Sequence, residues 1–254
     1  MSMRRLSSLP ILLLSLALSD PVATPAEERP AESIAVSGVV FEDLNRNGTR
    51  DEGEPGIGEV RVSDQIRAVA TGLDGSFSLQ SKGGYGLIFV SQPEGYRVNG
   101  RFWRDLSREP ESGDLQFPLI KTGNVSDFTF LHASDPHLDE ETLPRMRRLR
   151  EIVVEQEPAF VLLTGDLIMD ALRVDEETAR AQYELLMQEL AEFPVPVWTS
   201  LGNHEIFGIE RHKSLVSSEH PLYGKQMYRS YLGPNYYSFD HAGVHFVSLD
   251  TVGV

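Results

Sequence analysis

The sequence has no cysteine among its 254 residues. Disulfides, thiol nucleophiles, iron–sulfur clusters and cysteine-ligated zinc are therefore excluded together. Any metal ion must be held by Asp, Asn, Glu or His side chains. Basic residues are also scarce, because 23 Lys and Arg face 38 Asp and Glu and give a formal charge of −15. That charge opposes binding to a phosphate backbone, so we expect no nucleic-acid partner.

Long apolar runs are scarce too, and the clearest one is close to the N-terminus. Arg4 and Arg5 precede an apolar run over residues 9–18, and Ala17 and Ser19 place small side chains at its end. This pattern predicts a signal peptide over residues 1–19. The run is too short to cross a bilayer, which takes about 20 apolar residues. We therefore expect no transmembrane segment and a periplasmic, cell-surface or secreted protein.

Two regions with different patterns follow the signal peptide. Residues 20–32 are rich in Pro, Ala and Glu and predict a linker that builds no core. Over residues 33–122, short alternating apolar segments are separated by turns such as Asp74-Gly75. Strands of this length and spacing predict a small all-β sandwich.

The segment DLNRNGTRDEGE, between the first two predicted strands, has the spacing of a calcium loop. Gly48 occupies the position where such a loop turns sharply, and Pro55-Gly56 exclude a following helix. The segment also resembles the calcium loop of the B-type repeats of bacterial surface proteins. The alternative is an ordinary hydrophilic loop, since Asp, Asn and Gly are common in turns. The predicted calcium ligands are Asp43, Asn45, Asn47, Thr49, Asp51 and Glu54.

Over residues 126–254 the pattern changes to alternating strands and helices. Apolar segments at 128–131, 160–163 and 195–198 predict strands, and helical periodicity over 143–154 and 183–190 separates them. This βαβαβ order predicts a parallel sheet, whose ligands collect at the carboxyl ends of the strands. Polar motifs follow each predicted strand: Ser134-Asp135-Pro136-His137, Gly165-Asp166 and Gly202-Asn203-His204-Glu205.

These three motifs resemble D-x-H, G-D and G-N-H-[ED] of the calcineurin-like metallophosphoesterases. The resemblance implies that Asp135 and His137 bind one metal ion, Asp166 bridges two ions and Asn203 binds the second. His204 is then the acid beside the leaving oxygen. Two divalent ions, Mn, Fe or Zn, would hold a bridging hydroxide that attacks a phosphate monoester or diester of a small-molecule substrate.

The resemblance also has a gap. The family supplies further histidines from G-H and G-H-x-H motifs, and no Gly-His pair occurs in this sequence. We therefore expect an α/β phosphoesterase core that is incomplete at its C-terminus, unless His212, His220, His241 or His245 supplies the missing ligands. The alternative to an exported phosphoesterase is a non-catalytic, calcium-binding surface module with a degenerate core. The sequence does not indicate the oligomeric state.

Overall fold

The computed structural model describes residues 33–82, 85–108, 114–123 and 125–253. The predicted signal peptide and linker lie outside the described residues. Within the described ranges, no helix combines the length and apolar character needed to cross a membrane.

Among the described residues before 123, eight strands form two four-stranded sheets, ordered β4-β1-β8-β6 and β3-β2-β5-β7. Val40 and Phe117 from the first sheet and Val62 and Ile88 from the second are fully buried in one shared hydrophobic cluster. Alternation of apolar and polar residues directs these side chains between the sheets. The strands are β1 (Ser33–Glu42), β2 (Arg61–Ser63), β3 (Ala68–Ala70), β4 (Ser76–Lys82), β5 (Leu87–Val90), β6 (Tyr96–Val98), β7 (Trp103–Asp105) and β8 (Leu115–Lys121).

The following residues form a three-stranded parallel sheet with helices between its strands. The central strand β10 pairs in parallel with both β9 and β11. The predicted βαβαβ unit and the predicted adjacency of its three strands are thereby confirmed. In chain order the elements are β9 (Leu131–Ser134), α1 (Leu143–Gln156), β10 (Val161–Thr164), α2 (Glu176–Ala191), β11 (Val197–Ser200), α3 (Arg211–Ser214), α4 (Gln226–Leu232) and an antiparallel hairpin of β12 (Tyr237–His241) and β13 (Val244–Ser248).

Two of the strand predictions were wrong at their starts. The strand predicted at 128–131 lies at 131–134, because the rings of Phe128 and Phe130 pack against Phe160, with centroids 6.0 and 5.3 Å away. The strand predicted at 195–198 lies at 197–200. Pro196 has no N–H to donate, so the paired strand begins after it.

A second buried cluster is formed by both halves of the chain. Phe102, beside β7, lies with its ring centroid 5.2 Å from that of Trp198 and 5.0 Å from that of Tyr237. Residues 33–123 and 125–253 therefore share one buried cluster within a single compact unit. The buried members of this cluster are Leu87, Phe89, Trp103, Phe160, Trp198, Tyr237 and Phe239.

Candidate metal centre

The carboxyl ends of β9, β10 and β11 are joined by backbone hydrogen bonds that continue beyond the strands. The N–H of Asp135 donates to Gly165 O at 3.2 Å, and that of His137 donates to Asp166 O at 3.0 Å. Gly165 N–H donates to Ser200 O at 3.0 Å. The three predicted motifs therefore meet at one edge of the sheet, as expected for a parallel arrangement.

The residues at this edge have an unusual backbone. Asp135, His137 and Asp166 have φ values of 53°, 44° and 47°. Residues with a Cβ rarely adopt this left-handed region, which costs each of them about 1 kcal/mol or more. Such conformations are concentrated at functional sites. Here the strained residues are three of the predicted site residues.

Three of the side chains form a cluster that could hold a metal ion. One ligand atom from each of His137, Asp166 and His204 lies within 4.8 Å of the others. His137 Nε2 is 3.7 Å from Asp166 Oδ2, beyond hydrogen-bond distance. His137 Nδ1 is also buried without a hydrogen-bond partner. This set of two imidazoles and one carboxylate suits Mn, Fe or Zn better than Ca.

Hydrogen bonds fix which atoms of Asp166 and His204 face the cluster. Asp166 Oδ1 accepts the backbone N–H of His204 at 3.1 Å, which leaves Oδ2 toward His137. The Nδ1 atom of His204 contacts the carbonyl oxygen of Met169. Because a carbonyl only accepts, Nδ1 carries the proton and Nε2 is the nitrogen available to a metal ion or substrate.

The other two predicted site residues lie at the same strand ends. Asp135 and Asn203 are exposed, and the carboxylate of Asp135 is not among the clustered atoms. Two of the alternative histidines are engaged elsewhere, His220 with Glu176 and His245 with Asp240. Among the described residues the structure thus assembles three of the five residues predicted for this site, with His204 inside the cluster.

A buried carboxylate, for which the sequence motifs predicted no role, supports the cluster. Glu205 is 0% exposed, and its oxygens accept four backbone N–H groups. Burial raises the pKa of the Glu205 carboxyl to about 7, although hydrogen bonds from Ile168, Gly202 and Leu167 oppose the shift. The signal was available as the last letter of the Gly202–Glu205 motif, but only the fold shows what it contacts.

Two glycines allow the loops of this site to meet backbone to backbone. A Cβ on Gly202 would lie 2.1 Å from Asp166 N and 2.3 Å from Asp166 Oδ1. Gly165 has φ of 67°, and a Cβ on it would lie 3.4 Å from the Cα of Gly202. Because real Cβ atoms do not approach within 3.0 Å of their neighbours, only glycine fits at position 202.

In the predicted calcium loop, Asp43 and Glu54 are buried, whereas Asn45, Asn47, Thr49 and Asp51 are exposed. Asp43 is 2% exposed, and its Oδ2 accepts Gly48 N–H at 2.9 Å and Asn99 Nδ2–H at 2.7 Å. Burial raises the pKa of Asp43, but these and neighbouring hydrogen bonds outweigh it and hold the pKa below its ordinary value. Glu54, also buried, accepts Leu44 N–H and Asp51 N–H.

Two of the exposed loop residues, Asn45 and Asn47, contact Asp51. The amides of Asn45 and Asn47 donate to Asp51 Oδ2 at 2.7 and 2.8 Å. Thr49 N–H donates to Asn47 Oδ1 at 2.8 Å, and Gly48 has the φ of 79° that the sharp turn requires. Calcium binding by this loop stays a prediction.

Comparison with known proteins finds a family similar to the second half of the chain. Residues 128–252 match the family described as Calcineurin-like phosphoesterase. This segment is therefore similar to a family of hydrolases that act on phosphoester bonds.

A curated relative supports the same assignment. The "Uncharacterized metallophosphoesterase YhaO" of Bacillus subtilis (strain 168) is 31% identical over 106 residues, and the match covers 34% of this chain and 25% of the relative. The chain spans about a quarter of that relative's length.

Proposed function

We propose that this chain is an exported, metal-dependent phosphoesterase that hydrolyses a phosphate monoester or diester. The observation that carries the proposal is the cluster of His137, Asp166 and His204 at three adjacent strand ends, inside the segment that matches the phosphoesterase family. Nothing in the comparisons favours a non-catalytic role.

The residues divide the work of the reaction. His137 Nε2 and Asp166 Oδ2 would hold the metal centre, and the exposed Asp135 and Asn203 would complete it from the same strand ends. Divalent ions, when bound, would supply a water of lowered pKa and offset the charge of the phosphate. The protein carries a formal charge of −15, so it needs such cations to admit an anion. His204, held through Nδ1, would deliver a proton from Nε2 to the leaving oxygen when both ring nitrogens carry a proton.

Metal content and hydrolysis, measured together, test this function. Residues 20–254 in saturating manganese should bind the ion and hydrolyse an aryl phosphate, and a matched aryl diester shows which ester is preferred. A chelator or Asp166→Asn should abolish turnover, whereas Asp240→Asn, on the hairpin, should not. A folded protein that neither binds manganese nor hydrolyses either ester would refute the proposal.

We also propose that the loop over residues 43–54 binds calcium. An ion that binds only the folded state adds about 2.7 kcal/mol of stability at 100 times its dissociation constant. Calcium should therefore raise the Tm of the full chain, and Asp43→Asn combined with Glu54→Gln should remove the increase. An equal Tm with calcium and with chelator would exclude the site.

Export is the third part of the proposal, and it rests on the pattern of residues 1–19. Expression of the full chain in a bacterium should give a mature form that begins at residue 20, as N-terminal sequencing would show. A cytoplasmic product that keeps Met1 would contradict the proposal.

A further inference from the structure

Glu205 joins two loops of the metal centre through the two oxygens of one carboxylate. Oε1 accepts Leu167 N–H at 2.6 Å and Ile168 N–H at 3.2 Å. Oε2 accepts Gly202 N–H at 2.6 Å and Asp166 N–H at 3.1 Å. The second oxygen therefore bridges the loop that carries Asp166 and the loop that carries His204. We call these four hydrogen bonds the Glu205 bridge.

If the Glu205 carboxylate were removed, the N–H groups of the two loops would have no simple replacement for it as a hydrogen-bond acceptor. Glu205 is fully buried, so water cannot take over the four N–H groups without opening the core. Asp166 also has φ of 47°, and its N–H is one of the four. Glu205 itself is held by Tyr183, whose buried hydroxyl donates to the Glu205 carbonyl oxygen at 2.7 Å. A buried donor that loses its acceptor is costly, so the bridge fixes both loops.

We propose that Glu205 is a positioning residue that sets the spacing between Asp166 and His204 and thereby the metal affinity of the site. This proposal rests on the function proposed above. Glu205 Oε1 and Oε2 are both occupied by N–H donors, so Glu205 acts on the metal through Asp166 rather than as a ligand. Groups that orient metal ligands typically change metal affinity 10- to 100-fold when they are mutated.

Two substitutions separate the reach of this side chain from its charge. Glu205→Gln keeps the length but replaces one oxygen by an amide, which turns two acceptor contacts into donor–donor contacts. Glu205→Asp keeps the charge but is one methylene shorter, so it cannot reach both loops. If hydrogen-bond bridging is the role, both variants should weaken manganese binding by about tenfold or more. Recovery of wild-type affinity in Glu205→Asp would show that only the charge matters and would overturn the proposal.

The controls are chosen to separate positioning from general stability. Glu210→Gln makes the same chemical change in a half-buried residue that pairs with Arg173 and Lys213, and it should leave manganese affinity unchanged. Tyr183→Phe removes a hydrogen bond to the backbone of Glu205 without touching its carboxylate. It should lower the Tm more than it lowers manganese affinity.

The experiment has a metal-free readout and a metal-dependent one, both on the full chain. Amide hydrogen exchange without metal should show lost protection at Asp166, Leu167, Ile168 and Gly202 in Glu205→Gln, with the β-sheet core still protected. Calorimetric titration with manganese should then show the loss of affinity. Unchanged protection at these amides, or lost protection with wild-type affinity, would each overturn the proposal. A wild-type protein that binds no manganese would instead refute the proposed function, while the exchange data would still decide whether Glu205 joins the loops.

Discussion

Gly202→Ala is expected to push apart the two loops that carry Asp166 and His204. The new Cβ would lie 2.1 Å from Asp166 N and 2.9 Å from Glu205 Oε2, whereas ordinary van der Waals contact begins at 3.4 Å. The nearest atom is backbone, so it cannot rotate away, and the loops must separate by about 1 Å. Overpacking of this kind costs about 1–3 kcal/mol of stability. Metal sites tolerate errors of only about 0.2 Å in ligand distance, so manganese binding should suffer far more than the fold.

The assay compares two glycine substitutions in urea unfolding and in manganese titration. Gly253→Ala is the matched control, because a Cβ at that position meets nothing within 4 Å and its φ is not in the left-handed region. Gly202→Ala should lose at least 100-fold in manganese affinity, and Gly253→Ala should behave like the wild type. A Gly202→Ala variant that is more stable to urea than the wild type, or that binds manganese with the wild-type affinity, would refute the steric argument.

Three further predictions follow from other parts of the structure. His204→Asn should lower kcat about 100-fold or more on an ester with a poor leaving group, and less on an activated aryl phosphate. The metal content should be unchanged. Equal losses of kcat on both esters, or a loss of metal, would show that His204 is a ligand or a structural residue. Trp103→Ala should lower the free energy of unfolding by about 3–5 kcal/mol, because the Trp103 ring packs against Gly233 across the two halves. Calorimetry should still show one unfolding transition, and two separate transitions would contradict a shared core. Asp175 caps α2 by accepting Thr178 N–H at 2.8 Å, which lowers the pKa of Asp175. Its contribution is therefore present above its ordinary pKa and lost as pH falls through the lowered one. Asp175→Ala should lower the Tm more at pH 7 than at pH 3, whereas Asp175→Asn should keep the cap. An equal loss of Tm in Asp175→Ala at both pH values would show that the charge of Asp175 is irrelevant.

Local patterns predicted the parallel sheet of residues 126–254 because its strands are short, apolar and each followed by a polar motif. The positions of Asp166 and His204 at adjacent strand ends followed from the parallel order alone, and the pairing of β10 with β9 and β11 confirms it. The first residues of the strands were harder to predict from the sequence. Phe128 is as apolar as a strand residue, but its ring packs on Phe160 and His241, which lie far along the chain.

The site was predicted by residue type but not by contact. Sequence placed Asp135 among the metal ligands and His204 beside them, whereas the described structure clusters His204 and leaves the Asp135 side chain exposed. Asp135 has a left-handed φ, and this backbone angle sets the direction of its side chain. Sequence propensity does not predict such an angle for an aspartate that precedes proline. The role of Glu205 was equally hidden, because its four partners belong to two separate loops.

The aromatic core shared by the two halves has a consequence for the evolution of such proteins. The family match begins at residue 128, yet Leu87, Phe89 and Trp103 from before that point pack on Trp198 and Phe239 from after it. A recombination event at the family boundary would thus separate side chains that fold as one group. A relative with another N-terminal segment must cover Trp198 and Phe239 with apolar groups of its own or replace them with polar residues. Substitutions on the two sides of residue 124 should consequently be coupled over evolution.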